Sequence, residues 1–493
     1  MSLPRLGSSV LDSLNGTEVA VPAYDRSRVT PGIVHFGVGG FHRAHQARYL
    51  DDLMNQGKAM DFGIVGMGVM PSDARMRDAL AGQDHLYTLV EKAPSGRQRA
   101  RVIGSLIDYV FAPDDPRAAV ARLADPAIKI VSLTVTEGGY ALDANPHVPA
   151  DVAALRAGQT GDLRTFFGLI TAALARRRRE ETPPFTIMSC DNIQGNGDMA
   201  REMFLRFARE ADADLAGWVE EKVAFPNSMV DRITPETTDA DRAEVASRHG
   251  YADAWPVVCE DFSQWVIEDR FPLGRPPYED AGAQMVRDVM PYELMKLRLL
   301  NASHQGLCYF GYLAGHRLVH EVVRDERFSR FLLAYMEQEA TPSLRPVPGM
   351  DLDAYRHRLI ARFGNEAVRD TVARLCAESS DRIPTWLIPV IRENMAAGRP
   401  VRLSAAIVAS WARYAEGTDE QGEPIAVVDR LADSLREHAA GNREDALAFL
   451  RYREVFGDLI DHPEFTEPYA EALRSLHSRG ALATVAALAD SAR

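Results

Sequence analysis

Cysteine is scarce in this chain of 493 residues: Cys190, Cys259, Cys308 and Cys376 stand far apart and form no CxxC pair. That pattern suits a reducing, cytoplasmic setting with free buried thiols better than a disulfide framework. The 13 histidines include no HExxH and no His/Cys cluster with metal-ligand spacing, so no metal is expected. Positive charge is in deficit as well: 56 Lys and Arg stand against 70 Asp and Glu, a net charge of −14. Such a balance argues against nucleic acid or an anionic membrane surface as the main partner. No apolar run reaches the roughly 18 residues of a membrane helix. The opening MSLPRLGSSVLDSLNG has neither a charged start followed by an apolar stretch nor a small-residue cleavage site, which agrees with a cytoplasmic location.

What remains is an ordinary folded composition, 46% hydrophobic and 26% charged, too long for one hydrophobic core. The first half alternates short runs rich in Ile, Val, Leu and Phe, at 33–37, 62–67, 130–136 and 186–190, with amphipathic stretches, the clearest at 163–179. Unalternating runs of this kind suit parallel strands covered on both faces, and the β/α alternation predicts an α/β, doubly wound Rossmann-type sheet. From about residue 288 strand signals fade and helical patterns follow one another at 291–315, 327–339, 352–363, 368–376, 403–414 and 446–456. An N-terminal dinucleotide-binding domain over 1–287 and an all-helical catalytic domain over 288–493 are therefore expected. The run Arg176–Arg179 ends an amphipathic helix and reads as a solvated last turn complementing the helix dipole.

The first strand runs into Gly37–Val38–Gly39–Gly40–Phe41 and then a helix. Glycines in such a turn let the backbone approach a pyrophosphate, which the helix N-terminus attracts. GxGxxG would demand glycine at 42, where the chain has His42, so a tight βα turn of another α/β fold is the alternative. Ligands in open α/β sheets sit beyond the carboxyl ends of strands, and two further strand ends carry fitting residues. Asp73 follows the second and could accept ribose hydroxyls, favouring NAD over NADP, or could merely cap a helix; Arg75 and Arg77 leave NADP open. Thr136 and Glu137, before two glycines, close the third.

The segment from Pro291 to His304 begins with proline, suited to a first helical position. At about 100° per residue, with Lys296 at zero, Glu293 falls near 60°, His304 near 80° and Asn301 near 140°. Four polar groups share one arc of about 140° on an otherwise apolar helix, where unpaired buried polar groups would be costly. Oxidising an alcohol without metal needs these residue types. A lysine takes the hydroxyl proton once burial and a nearby cationic ring lower its pKa from about 10.4. Amides stabilise the developing alkoxide. The bland alternative is a surface Glu293–Lys296 pair with His304 a satisfied core histidine.

Together, GVGGFHRAHQ at 37–46, TEGGY at 136–140, MSCDN at 188–192, FPNSMVDRITP at 225–235, WPVVCEDFSQWVIEDRFPLGRP at 255–276 and KLRLLNASH at 296–304 resemble the mannitol dehydrogenase family, the polyol-specific long-chain dehydrogenases and reductases. The resemblance spans nearly the whole chain, in order. It implies NAD-dependent, zinc-independent interconversion of D-mannitol and D-fructose, with the site between a Rossmann-type and a helical domain. By matching motifs it makes Lys296 the general acid/base, with Asn192 and Asn301 clamping the reacting oxygen. His304, Asp231 and Arg374 would bind substrate hydroxyls, and Glu293 would belong to a proton path. The family's own loop resembles GxGGFHR, which accounts for the missing third glycine. D-arabinitol, sorbitol or fructuronate are the neighbouring substrates, Arg374 and Arg382 being the cations a carboxylate would want. A non-catalytic NAD-binding sensor is the reading from another class, although a sensor has no need of a base. The expected partner is a small polyol or ketose, with the protein a monomer or small homo-oligomer.

Overall fold

The computed structural model describes residues 3–491, leaving the first two residues of the opening segment outside the description. The chain divides into two compact units, broken between Met290 and Pro291, with 94–96 counted with the second.

In the first unit, five parallel strands form the central sheet: β1 (Pro31–Phe36), β2 (Gly63–Gly68), β3 (Leu106–Phe111), β4 (Ile130–Leu133) and β5 (Thr186–Ser189). Their order is β3-β2-β1-β4-β5, the doubly wound arrangement of Rossmann-type domains. The four strands expected from apolar runs are its last four. The edge strand β3 was not legible, because only Leu106 of it is fully buried and Asp108 and Tyr109 interrupt the run. β4 stops at Leu133, three residues short of the expected end, because the chain turns away at Thr134–Thr136. The helix Phe166–Arg179 starts later than the 163 read from its apolar face, since the Thr165 hydroxyl accepts from the Gly168 N–H at 2.9 Å and sets the cap.

Two smaller sheets flank the chain's first half, one ordering strands 19–20, 98–103, 87–92 and 257–260, the other 284–286, 264–268 and 228–231. The hairpin strands Tyr87–Lys92 and Gln98–Ile103 pair antiparallel, so the unit is not purely parallel.

The second unit is helical. Its centre is the helix Arg402–Ala415, in which every residue from Leu403 to Ala415 is buried. A helix apolar on all sides must lie in a core, and its first N–H groups then need an internal acceptor. Glu339 supplies it: its buried carboxylate accepts from the N–H of Leu403 at 2.6 Å and of Ser404 at 2.8 Å. Burial pushes that carboxyl up to about 7. Two expected helices are shorter than their patterns. Arg369 lies in the left-handed region and the Thr371 hydroxyl accepts from the Arg374 N–H at 3.3 Å as the helix cap, so 368–376 yields only Val372–Cys376. The stretch 446–456 breaks at Tyr452, leaving Arg453–Phe456.

Under the first sheet sit three buried histidines, His35, His42 and His45. The rings of His35 and His42 stack at 3.5 Å, and His35 bonds Ser132 Oγ at 2.8 Å and Thr134 Oγ1 at 3.0 Å. Burial drives the His35 and His45 pKa values down to about 3, and that of His42 well below the ordinary range. Each therefore stays neutral in the folded chain while its unfolded counterpart gains a proton near pH 6.5. Their contribution to stability is complete above that pH and drains away as the pH falls towards 3. In a pH titration followed by NMR, the ring resonances of these three histidines should stay at neutral positions from pH 8 to pH 5. A protonation transition of the His35 ring within that range would contradict its burial.

Candidate active site

Sequence places candidate residues in both units, and the two groups are built from their own local constraints. In the first unit, β1 and β4 are neighbours with Phe36 opposite Leu133, so Gly37 and Thr134 leave the sheet side by side. Here the strand order reverses, the position at which open α/β sheets bind ligands. Gly37 adopts φ +87°, and a Cβ there would lie 2.0 Å from the Thr134 carbonyl oxygen. The Thr134 hydroxyl donates to the Gly37 carbonyl at 2.7 Å. Gly39, by contrast, has an ordinary φ and only the Gly37 carbonyl oxygen, at 3.8 Å, near its missing side chain. One glycine is required by the fold, and the other leaves open space for a ligand.

The helix after this turn is not continuous. It spans Gly40–Ala44, breaks at His45 and resumes at Gln46, because the His45 ring turns inward to bond the Gln264 carbonyl at 3.0 Å. Val38 is buried, packed with the core under the sheet, and Phe41 stacks on His45 at 4.9 Å.

Beyond the strand ends opens a cleft of about 990 Å³, lined by Gly37, Asp73, Thr134, Thr136 and Gly139 among others. Its volume is at the upper end of small-molecule and cofactor sites. Asp73 lines the cleft, and one of its carboxylate oxygens accepts from the N–H groups of Val69 and Met70, each at 2.9 Å, while its side chain makes no cap bond to the helix Ala74–Ala81 that follows. Arg77 is bound to Asp78 and Asp114 at 2.8 Å each, and Arg75 lies over the Trp255 ring at 5.2 Å. Glu137 is exposed beside Thr136 and is not among the residues lining the cleft. Asn192 is exposed just after β5, and Asp231 is buried at the end of the strand Ser228–Asp231.

In the second unit, Glu293, Lys296, Asn301 and His304 are all buried, at 4%, 7%, 6% and 6% exposure. The surface-pair alternative for Glu293 and Lys296 is thereby removed. The α-helical geometry assumed from sequence needs correction, however: Lys296–Asn301 is a π-helical turn. Such a turn bonds i to i+5 and absorbs one extra residue, so later positions count as one fewer along the α-helical phase. Asn301 then falls near about 40° and His304 near about −20°, and the four residues span about 80° rather than 140°. The wide turn draws them together.

A carbonyl loosened by the wide turn is met by a hydroxyl: Tyr335 donates to the Arg298 carbonyl at 3.2 Å. The Arg298 guanidinium, pointing the other way, holds both oxygens of Glu393 at 2.7 Å and the Ser343 carbonyl at 2.5 Å. Asn301 keeps a buried amide oxygen without a hydrogen-bond partner among the described residues, an expense normally met by a ligand or water. The His304 ring packs on Phe363 at 4.5 Å. Arg374 is half-exposed and clamps Asp370 through two bonds of 2.7 and 2.6 Å. Arg382 donates to the carbonyls of Arg374 and Leu375 and lies over Trp386.

Sequence reasoning missed Asp191, whose carboxylate organises the β4 exit, and the Tyr335–Arg298–Glu393 bracket of the π-turn. Asp191 stood inside a quoted motif; nothing in the spacing of Tyr335 marked it. Among the described residues no group of three or more His, Cys, Asp or Glu could hold a metal ion. Nor is any helix long and apolar enough to cross a membrane.

Known proteins agree with this architecture. Residues 31–280 match the mannitol dehydrogenase Rossmann domain, and 288–477 the mannitol dehydrogenase C-terminal domain. The chain belongs to the mannitol dehydrogenase family. Within this family of oxidoreductases it is 46% identical to mannitol 2-dehydrogenase of Phaeosphaeria nodorum, over 98% of this chain and 85% of the relative. Mannitol 2-dehydrogenase of Aspergillus fumigatus is 43% identical, with 97% of each covered. Among solved structures, Pseudomonas fluorescens mannitol 2-dehydrogenase, a ternary complex with NAD and D-mannitol, matches with a TM-score of 0.87, 42% identity and 99% of each chain covered. A substrate-free D-sorbitol dehydrogenase matches with a TM-score of 0.88 at 35% identity, over 98% of this chain and all of its own.

The glycine turn makes a paired prediction. Gly37→Ala should cost roughly 2–4 kcal/mol of stability, through the backbone clash and the forced positive φ. Gly39→Ala should cost less than about 0.5 kcal/mol. Denaturant melts of the two variants check this, and equal losses would refute the assignment of the fold-bearing glycine.

Proposed function

We propose that this chain oxidises D-mannitol at C2 to D-fructose with NAD, and runs the reverse, using Lys296 as general acid/base and no metal. The observation that carries the reading is the likeness, over 99% of the chain, to a protein solved with NAD and D-mannitol bound. The buried Lys296–Asn301 π-turn supports it from the chain's own geometry.

Bound NAD supplies the hydride acceptor for the hydrogen on C2. Gly37, Gly39 and Gly40 let the backbone approach its pyrophosphate, and Asp73 receives the adenosine ribose hydroxyls. With Asp73 and Asp114 on the cleft wall and Arg77 engaged by Asp78 and Asp114, a 2′-phosphate meets negative charge, which favours NAD over NADP. Lys296, buried on the helix that also carries Asn301 and His304, takes the C2 hydroxyl proton. Asn301 and Asn192 donate amides to that oxygen as it gains negative charge. His304 and Asp231 hold neighbouring hydroxyls, and Glu293 passes the proton onward.

A neutral polyol suits the arginines better than a hexuronate does. The Nε–Nη2 edge of Arg374 is already taken by Asp370, and Arg382 Nη1 donates to two main-chain carbonyls. A substrate carboxylate would have to displace a carboxylate of the protein itself.

Initial rates with D-mannitol, D-arabinitol, sorbitol and, in reverse, D-fructose and fructuronate, each with NAD and NADP cofactors, test the assignment. D-Mannitol with NAD is expected to give the highest kcat/KM, unchanged by exhaustive chelation. Faster turnover of fructuronate would shift the substrate class, and no turnover of any polyol would favour a cofactor-binding sensor. Lys296→Ala should lower kcat/KM by about 10²–10⁴ with NAD affinity retained; full turnover in this variant would remove the base.

A further inference from the structure

Three residues beyond β4 the backbone takes a conformation that a β-branched residue does not adopt unaided. Thr136 has φ 63° and ψ 168°, a region essentially reserved for glycine, and it persists only where its surroundings enforce it. The enforcing group is a single carboxylate. Asp191 accepts from the Thr136 N–H at 2.7 Å on one oxygen and from the Val135 N–H at 3.2 Å on the other. The Tyr140 hydroxyl donates to the second oxygen at 2.8 Å, and the Ser189 hydroxyl lies 3.4 Å from it. Asp191 is itself only 5% exposed, and its main-chain carbonyl accepts from Asn196 Nδ2 at 3.0 Å, so the anchor cannot drift. Among the described residues no cation is bonded to this carboxylate; main-chain N–H groups and hydroxyls satisfy it.

The anchored turn is also one wall of the cleft, and it does not stand alone. Two residues earlier, the Thr134 carbonyl fills the space beside Gly37, and the Thr134 hydroxyl bonds the Gly37 carbonyl at 2.7 Å. Any relaxation of Thr136 towards negative φ would shift Thr134 and, through it, the glycine turn on the opposite wall.

We infer that Asp191 is a positioning residue for the cofactor: by holding Thr136 in its strained course, it fixes the spacing between the β4 exit and the glycine turn. This rests on the reading that the cleft takes NAD. Asp191 touches no cofactor in this scheme; it acts through Thr136.

The test is a cycle of full-length proteins, wild type, Asp191→Asn, Thr136→Gly and the double variant, with NAD Kd measured by calorimetry and Tm alongside. Asparagine keeps the shape but offers one acceptor oxygen instead of two. It should weaken NAD binding by about tenfold in the wild-type background. Glycine adopts positive φ without enforcement, so in the Thr136→Gly background the same change should cost less than about threefold. An equal loss in both backgrounds, or wild-type affinity in Asp191→Asn, overturns the inference. Damage to the adjacent Asn192 would instead appear in kcat or in the KM for polyol at unchanged NAD Kd, and that outcome also overturns it. Should Asp191→Asn fail to fold, Tyr140→Phe removes one donor to the same oxygen and should weaken NAD binding by about threefold, again only where Thr136 is present. Wild-type protein that does not bind NAD refutes the cofactor reading, an outcome distinct from all of these.

Discussion

The carbonyl oxygen of Thr134 stands where a side chain at position 37 would have to go. That contact follows from two adjacent parallel strands leaving the sheet at the same level, and it can exist only because one of the two residues lacks a Cβ. Much of the first unit is arranged around it. His35 bonds Ser132 and Thr134, the His42 ring stacks on His35, and Asp191 holds the next residues. His35, Ser132, Thr134 and Asp191 are costly to bury and are hydrogen-bonded, whereas His42 Nδ1 and His45 Nδ1 have no hydrogen-bond partner among the described residues. The result is a stiff rim around a cleft, which is what a site needs if it is to receive a ligand without first reorganising.

The second unit solves a different problem, keeping an amine and an amide close together inside a helical core. An α-helix offers neighbours at three and four residues; the π-turn at Lys296–Asn301 offers one at five and narrows the polar arc. Wide turns are rarely stable alone. Here Tyr335 satisfies a carbonyl of the turn, while Arg298 is tied to Glu393 and Ser343 on either side. A second π-turn follows at Met336–Ala340, where the Thr341 hydroxyl donates to the Met336 carbonyl at 2.6 Å. In both, a hydroxyl compensates for geometry that the helix itself does not provide.

Hydrophobic runs revealed four of the five strands of the sheet because every residue or nearly every residue in them is buried, and burial leaves a compositional mark. β3, half-covered at an edge, left none. The change to helices near residue 288 was legible for the same reason, as a switch of period. Lys296, Asn301, His304 and Glu293 were visible as polar residues on an apolar helix, yet their true spacing was not, since nothing in KLRLLN announces a π-turn. Asn192 became visible only through likeness to a family. Asp191 and Tyr335 were illegible because each acts on backbone atoms far away in sequence, and such contacts carry no periodicity.

The π-turn also bears on how related chains should be aligned. Because the extra residue is absorbed locally, the helix Ala302–Leu313 keeps the phase it would have had without it. A relative one residue shorter between 297 and 300 could therefore preserve every packing contact downstream while presenting a different amine-to-amide separation. Chain length at that point is information about chemistry, independent of which letters occupy it. A gap placed there by an aligner is a hypothesis about function.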